Sequence, residues 1–226
     1  SPGDATRTRP WINSLGMPFV PVPGTPVLFC IWDVRAKDYA EFIDSKGEVN
    51  ASWRSPEMAN YNGDLPASNV SWEEARQFCQ WLTEKERREG KLKGTQGYRL
   101  PTDAEWSAAA GLDEPVDGSP GEKNGKIKGV YPWGSEWPPP KQAANLKDRS
   151  ARFGWEAPPL GDRDDGFRTR SPVGAFLPNQ FGLYDMAGNV MQWCEDDHGG
   201  DSYISSNKVL RGSAYDHYQQ QWLLSS

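Results

Sequence analysis

The sequence predicts a loop-rich α+β fold, and three observations carry that prediction. Reciprocal helix caps occur at Ser71 and Thr102, short extended runs flank them, and the 226 residues include 23 Gly, 19 Pro and 11 Trp. Gly and Pro punctuate regular structure, and large aromatics stiffen what lies between. A bundle of long helices is excluded. With 36% apolar and 12% aromatic residues the chain can bury a real core, and it lacks the composition of a disordered protein.

The elements follow in chain order. Residues 1–14 lack an initiating Met and any apolar signal-peptide core, and are expected to be a linker or N-terminal extension preceding a single domain over 15–226. Residues 17–32 predict short extended segments broken by Pro and Gly. Residues 34–43 place Val34, Tyr39, Phe42 and Ile43 at helical spacing, and 47–68 predict a polar loop. Ser71 and Glu74 form a capping box, in which each side chain satisfies a main-chain N–H of the other. Ala75, Phe78, Cys79 and Leu82 then share one face. A second box, Thr102 and Glu105, starts a helix that Gly111 ends. From 112 to 189 periodicity disappears, and loops of that length need an internal organiser such as a cation or stacked aromatics. Strand signals return at 189–194 (NVMQWC) and 208–211 (KVLR).

Composition also narrows function. A net charge of −6 offers no basic footprint for nucleic acid; the basic run at 85–93 is a solvated helix end favoured by the macrodipole. No apolar run is long enough to span a bilayer. Cys30, Cys79 and Cys194 form no CxxC pair and sit in apolar stretches, predicting inert reduced thiols compatible with a bacterial cytoplasm. Two histidines, His198 and His217, are too few for a centre built from several imidazoles. Asn145, Asp148, Asp162, Asp164, Asp165 and Asp185 supply the hard oxygens that calcium takes from flexible loops, without EF-hand spacing. The segment GLYDMAGNVMQW has an architectural reading too: Gly182, Gly188 and Asn189 allow tight turns, and Tyr184 and Trp193 pack the core.

Five segments in fixed order carry a resemblance: VSWEEARQFCQWLTE (70–84), GYRLPTDAEWSAAAG (97–111), YPWG with AANL (131–134 and 143–146), SPVGAFLPNQFGLYDMAGNVMQWCED (171–196) and KVLRGSAY (208–215). The chain resembles the formylglycine-generating enzyme, or sulfatase-modifying factor, family from about residue 15 onward. That implies a C-type lectin-like fold with two main helices and short antiparallel strands, in which Trp72, Trp106, Trp133 and Trp193 are scaffold. NSLGMPFVPVPG and the LLSS end are similar to members found as C-terminal modules of bacterial serine/threonine kinases, although no kinase motif is present here. The family's closing N-x-G-F-R strand is not among these residues, so the 15–226 domain is expected to lack its last strand.

The resemblance implies calcium at two places. One set is Asn145, the Leu146 carbonyl, Asp165 and the Phe167 carbonyl. The other is Asp185, the Gly188 and Val190 carbonyls, and residue 192. There Gln192 replaces the family's Glu, removing a negative charge and leaving an amide oxygen, a weaker calcium ligand. The family's oxidases carry a copper-binding cysteine pair after the G-G-S-[WY] turn, at positions that fall on His217 and Trp222. Cu(I) prefers thiolates, so neither copper nor cysteine oxidation is expected, and the three-histidine iron centre of the related sulfoxide synthases has too few histidines.

What the resemblance leaves is a surface. Tyr215, Asp216, His217, Tyr218, Gln219, Gln220, Gln221 and Trp222 occupy the family's substrate groove, with rigid aromatics beside adaptable hydrogen-bonding groups. The expected function is a non-catalytic module binding a protein or peptide there. Retroelement-diversified variable proteins of the same fold vary this segment, and Tyr, Asp and His interconvert by single adenine-derived changes. The plain alternative is a polar loop; the functional alternatives are a regulatory or sensory kinase domain and a diverged enzyme.

Overall fold

The computed structural model describes residues 1–47, 63–114, 117–151, 160–199, 207–220 and 223. Most of the loop expected at 47–68 lies outside the described residues, as do Gln221 and Trp222.

Local rules account for the helices. Helix α1, Ala36–Lys46, buries Tyr39, Phe42 and Ile43, the apolar positions that predicted it. Helix α2, Trp72–Arg88, opens with the expected box: Glu74 N donates to Ser71 Oγ at 3.2 Å and Ser71 N to Glu74 Oε2 at 2.7 Å. It buries Phe78 and Leu82, and also Trp72, Thr83 and Glu86. Buried Glu86 accepts from Ser14 N at 2.5 Å and the Tyr98 hydroxyl at 2.6 Å, so its burial is compensated. Helix α3, Asp103–Ala110, has the Thr102–Glu105 box and stops at left-handed Gly111, φ 81°. A further short helix, α4 (Pro120–Lys123), lies within the stretch expected to lack structure. Its signal was present in SPGE: Ser119 and Glu122 form a box, with Pro at the first helical position. Buried Lys123 fastens α4 to the body, 3.2 Å from Asp103 Oδ2 and 3.5 Å from Glu114 Oε2.

Strands β1 (Trp11–Ile12), β2 (Pro18–Pro21) and β3 (Leu28–Cys30) form an antiparallel sheet in that order. The packed structure therefore begins before residue 15. Trp11 pairs with Phe19 and stacks on Tyr98, and Asn13 is buried; even Arg7 reaches across to the Gln180 carbonyl at 2.8 Å. The expected extension at 1–14 is thus docked through its aromatic and polar groups. Strands β4 (Gln192–Asp197) and β5 (Lys208–Arg211) pair antiparallel. β4 starts later than the predicted 189–194 because Asn189 is left-handed, φ 58°, and cannot enter a strand there.

Among the described residues, three apolar clusters form the core. One surrounds Trp106 with Val20, Leu183, Cys194 and Val209; another joins α1 to α2 through Phe42, Phe78 and Leu82; the third collects Tyr131, Leu146, Ala187 and Leu223. The four scaffold tryptophans each donate their indole N–H: Trp72 to Cys194 O, Trp106 to Gln192 Oε1, Trp133 to Glu136 O and Trp193 to Val70 O. Burying the ring while satisfying its one donor lets Trp brace a loop-rich fold.

Candidate functional site

The first group of oxygen donors converges. Ser150 Oγ lies 2.5 Å from Asp148 Oδ1, 2.8 Å from Asp165 Oδ1 and 3.0 Å from the Phe167 carbonyl. A hydroxyl has one proton to give, and main-chain donors share the load: Ser150 N donates to Asp148 Oδ1 and Phe167 N to Asp165 Oδ1, each at 2.9 Å. Asn145 commits its amide N–H to the Thr169 carbonyl at 2.8 Å, while its Oδ1 is buried without a hydrogen-bond partner. Leu146 N donates to Asp165 Oδ2 at 3.0 Å, which brings the 145–146 and 165–167 segments together. Arg163 supplies one positive charge, 2.8 Å from Asp148 Oδ2 and 3.3 Å from Asp165 Oδ2. Two enclosed carboxylates thus face one guanidinium, and burial pushes the Asp148 carboxyl above its ordinary range. Asn145, Leu146, Asp165 and Phe167 are together, an oxygen-rich set suited to a hard cation. Exposed Asp162 and Asp164 stand outside it. Arg163 and Ser150 are the members that sequence reasoning missed, because nothing local marks an Arg as buried.

The second group is arranged differently. Gln192 Oε1 accepts from Trp106 Nε1 at 2.6 Å, and Gln192 Nε2 donates to Asp33 Oδ1 at 2.7 Å and the Asp185 carbonyl at 3.0 Å. Asp185 Oδ2 accepts from Gly174 N at 2.7 Å. Gly188 and Val190 follow in the loop before β4, where Gly188 N donates to the Gly212 carbonyl at 2.7 Å. Burial pushes both the Asp33 and Asp185 carboxyls up, and for Asp33 the neighbouring Asp185 charge adds to it. The Gln192 amide is fully engaged, so the residues present do not fit the expected second calcium set. Asp33 was absent from that expectation.

The 215–220 segment rests on the first group. Lys147 N donates to the His217 carbonyl at 3.0 Å and Tyr215 N to the Asn189 carbonyl at 3.1 Å. Asp216 and Gln220 are exposed; Tyr215, His217, Tyr218 and Gln219 are half-buried. Tyr218 packs against the Tyr131–Leu146 cluster, and Gln220 Nε2 donates to the Tyr131 hydroxyl at 2.6 Å. Both residues, expected to meet a ligand, therefore have scaffold contacts. A cavity of about 380 Å³ opens beside these groups, lined by Tyr131, Trp133, Leu177 and Asp185 among others.

The cysteines lie in three different elements: Cys30 in β3, Cys79 in α2 and Cys194 in β4. All are free thiols. Burial pushes Cys30 and Cys79 up to about 12 and raises Cys194 as well, which disfavours the thiolate that binds copper. Among the described residues no helix is long and apolar enough to cross a membrane.

The family model "Sulfatase-modifying factor enzyme 1-like domain" matches residues 26–224. The inactive C-alpha-formylglycine-generating enzyme 2 of Bos taurus is 35% identical over 156 residues, 67% of this chain and 39% of that protein. The formylglycine-generating enzyme of Thermomonospora curvata is 30% identical over 196 residues, 84% of this chain and 51% of that protein. The chain thus spans about half or less of the length of these relatives. The serine/threonine-protein kinase pkn1 of Chlamydia pneumoniae is 30% identical over 139 residues, 61% of this chain and 15% of that protein. Among solved structures, CarF superposes with a TM-score of 0.54 at 22% identity, covering 91% of this chain and 78% of that one. Treponema denticola variable protein 1 gives 0.53 at 21%, covering 87% and 75%. The loop-rich α+β fold is shared with both.

Proposed function

We propose that this chain, which belongs to the sulfatase-modifying factor enzyme 1-like domain family, is a non-catalytic recognition module whose ligand, a protein or peptide, meets the 215–222 segment. One reading of the residues carries the proposal: the positions where the resemblance implies the oxidases' cysteine pair hold His217 and Trp222, while the chain's three cysteines sit in separate elements with their thiols held neutral. A relative named as inactive at 35% identity supports it, as does the fold shared with a variable protein.

Asn145, Leu146, Asp165 and Phe167 would hold a calcium ion through side-chain and main-chain oxygens. The ion would supply a fixed positive charge that cross-links two loops. Support comes from the partnerless Asn145 Oδ1 and from two enclosed carboxylates that face a single guanidinium. Lys147 N, one residue along, holds the His217 carbonyl, so ordering the oxygen knot pre-organises the recognition segment. Pre-organisation raises affinity by lowering the ordering cost of binding.

The test has two arms. The chain is incubated with Cu(I), oxygen and a cysteine-containing peptide, and the peptide is weighed by mass spectrometry; aldehyde formation would overturn the non-catalytic reading. Peptides selected from a displayed library on the chain are then measured against Tyr215→Ala and Asp216→Ala. A loss of at least about tenfold, roughly 1.4 kcal/mol, is expected, and unchanged affinity sinks the assigned surface.

A second reading rests on the pkn1 match, which occupies only 15% of that kinase: the module serves as a regulatory or sensory domain of a larger kinase. The two are compatible, and a kinase domain in the same reading frame would favour the second.

A further inference from the structure

We infer that the second cation position implied by the family resemblance is closed in this chain by an amide lock, in which Gln192 joins Trp106, Asp33 and Asp185 without metal. The orientation of the amide is determined by its partners. Trp106 Nε1 is a donor only, so the group facing it at 2.6 Å must be Oε1. That turns the NH2 toward Asp33 Oδ1 at 2.7 Å and the Asp185 carbonyl at 3.0 Å. The one oxygen that residue 192 could offer a cation is thus turned to the Trp106 N–H, and the amide hydrogens occupy the space between Asp33 and Asp185. The positive ends of those N–H bonds repel a cation.

The lock also does mechanically what a cross-linking ion would do. Asp33 lies between β3 and α1, Trp106 in α3, Asp185 in the loop after Gly182 and Gln192 at the start of β4. Four segments meet on one neutral side chain. Among the described residues, no cationic side chain pairs with Asp33 or Asp185, so the Gln192 amide is the polar group joining them. A Glu at 192 would keep the acceptor for Trp106 but turn its second oxygen toward Asp33 and the Asp185 carbonyl. Three oxygens would then face one another, and only a proton or a cation could reconcile them.

The stoichiometric arm of the test rests on the calcium reading of the first group; the stability arm does not. Native mass spectrometry of the full chain in calcium is expected to show one ion on the wild type and none on Asp165→Asn. Two ions on the wild type overturn the lock. No ion on either removes the first-site reading yet agrees with a closed second position. In chelator, Gln192→Glu is expected to melt about 5 °C below the wild type and to recover in millimolar calcium, because it restores the family's ligand set. Gln192→Leu removes the lock without adding a ligand and should fall similarly with no recovery. A Gln192→Glu variant with unchanged melting, or with a loss that calcium does not repair, overturns the inference.

Discussion

A Cβ built on Gly188 would lie 2.1 Å from the Asn145 carbonyl oxygen. The two residues form an isolated parallel bridge, and Asn189 N donates to that same carbonyl at 3.0 Å. The A-N-L and A-G-N segments are thus pressed together main chain to main chain, with Gly188 at φ +70°. Gly188→Ala should cost more than about 3 kcal/mol, since a backbone clash adds to about 1 kcal/mol of left-handed strain. Gly90 has a similar φ of +71° with nothing within 4 Å, so Gly90→Ala should cost only about 1 kcal/mol. Chemical denaturation of both variants separates the clash from the strain.

Chelation provides the second prediction. Removing calcium should lower the melting temperature of the wild type by several degrees, and Asp165→Asn should abolish that response. Amide exchange should quicken at 145–148 and, through the Lys147–His217 main-chain bond, at the recognition segment. A melting curve indifferent to chelator would refute calcium at the first group.

The thiols make a third case. With Cys30 and Cys79 near 12 against an ordinary value of 9, a thiol reagent at pH 8 should label the native chain slowly and the unfolded chain fast. The sign of the pH effect follows from linkage. A folded value above the unfolded one gives stability that is fully present below pH 9 and lost as pH rises through 12. Denaturation midpoints should therefore fall across that window, and less so in Cys30→Ala.

The recognition segment should divide in two. Tyr218 packs in the third cluster, so Tyr218→Ala should lose about 2 kcal/mol of stability. Asp216 is exposed, and Asp216→Ala should stay within about 0.5 kcal/mol while weakening peptide binding. Equal stability losses for both would show that the segment is scaffold throughout.

Much of this was legible in the residues because it is local. The Ser71–Glu74 and Thr102–Glu105 boxes, the face of α2 and β5 follow from spacing of a few residues. The Ser119–Glu122 box was equally legible but lay in a region whose polarity hid it. β4 was displaced because Asn189 adopts a left-handed conformation to bond both main-chain groups of Ser171, a demand made by a distant residue.

By itself, the sequence determined the capped helices, the tryptophan scaffold and the dispersal of the cysteines. Only the tertiary structure decided which oxygens meet, that Arg163 neutralises part of their charge, and that Trp11 belongs to the sheet. It alone also paired Gln192 with Asp33, 159 residues away. The reason is physical: caps and periodicity act over one or two turns, whereas a buried polar group's partner is set by whichever segment the core packs against it.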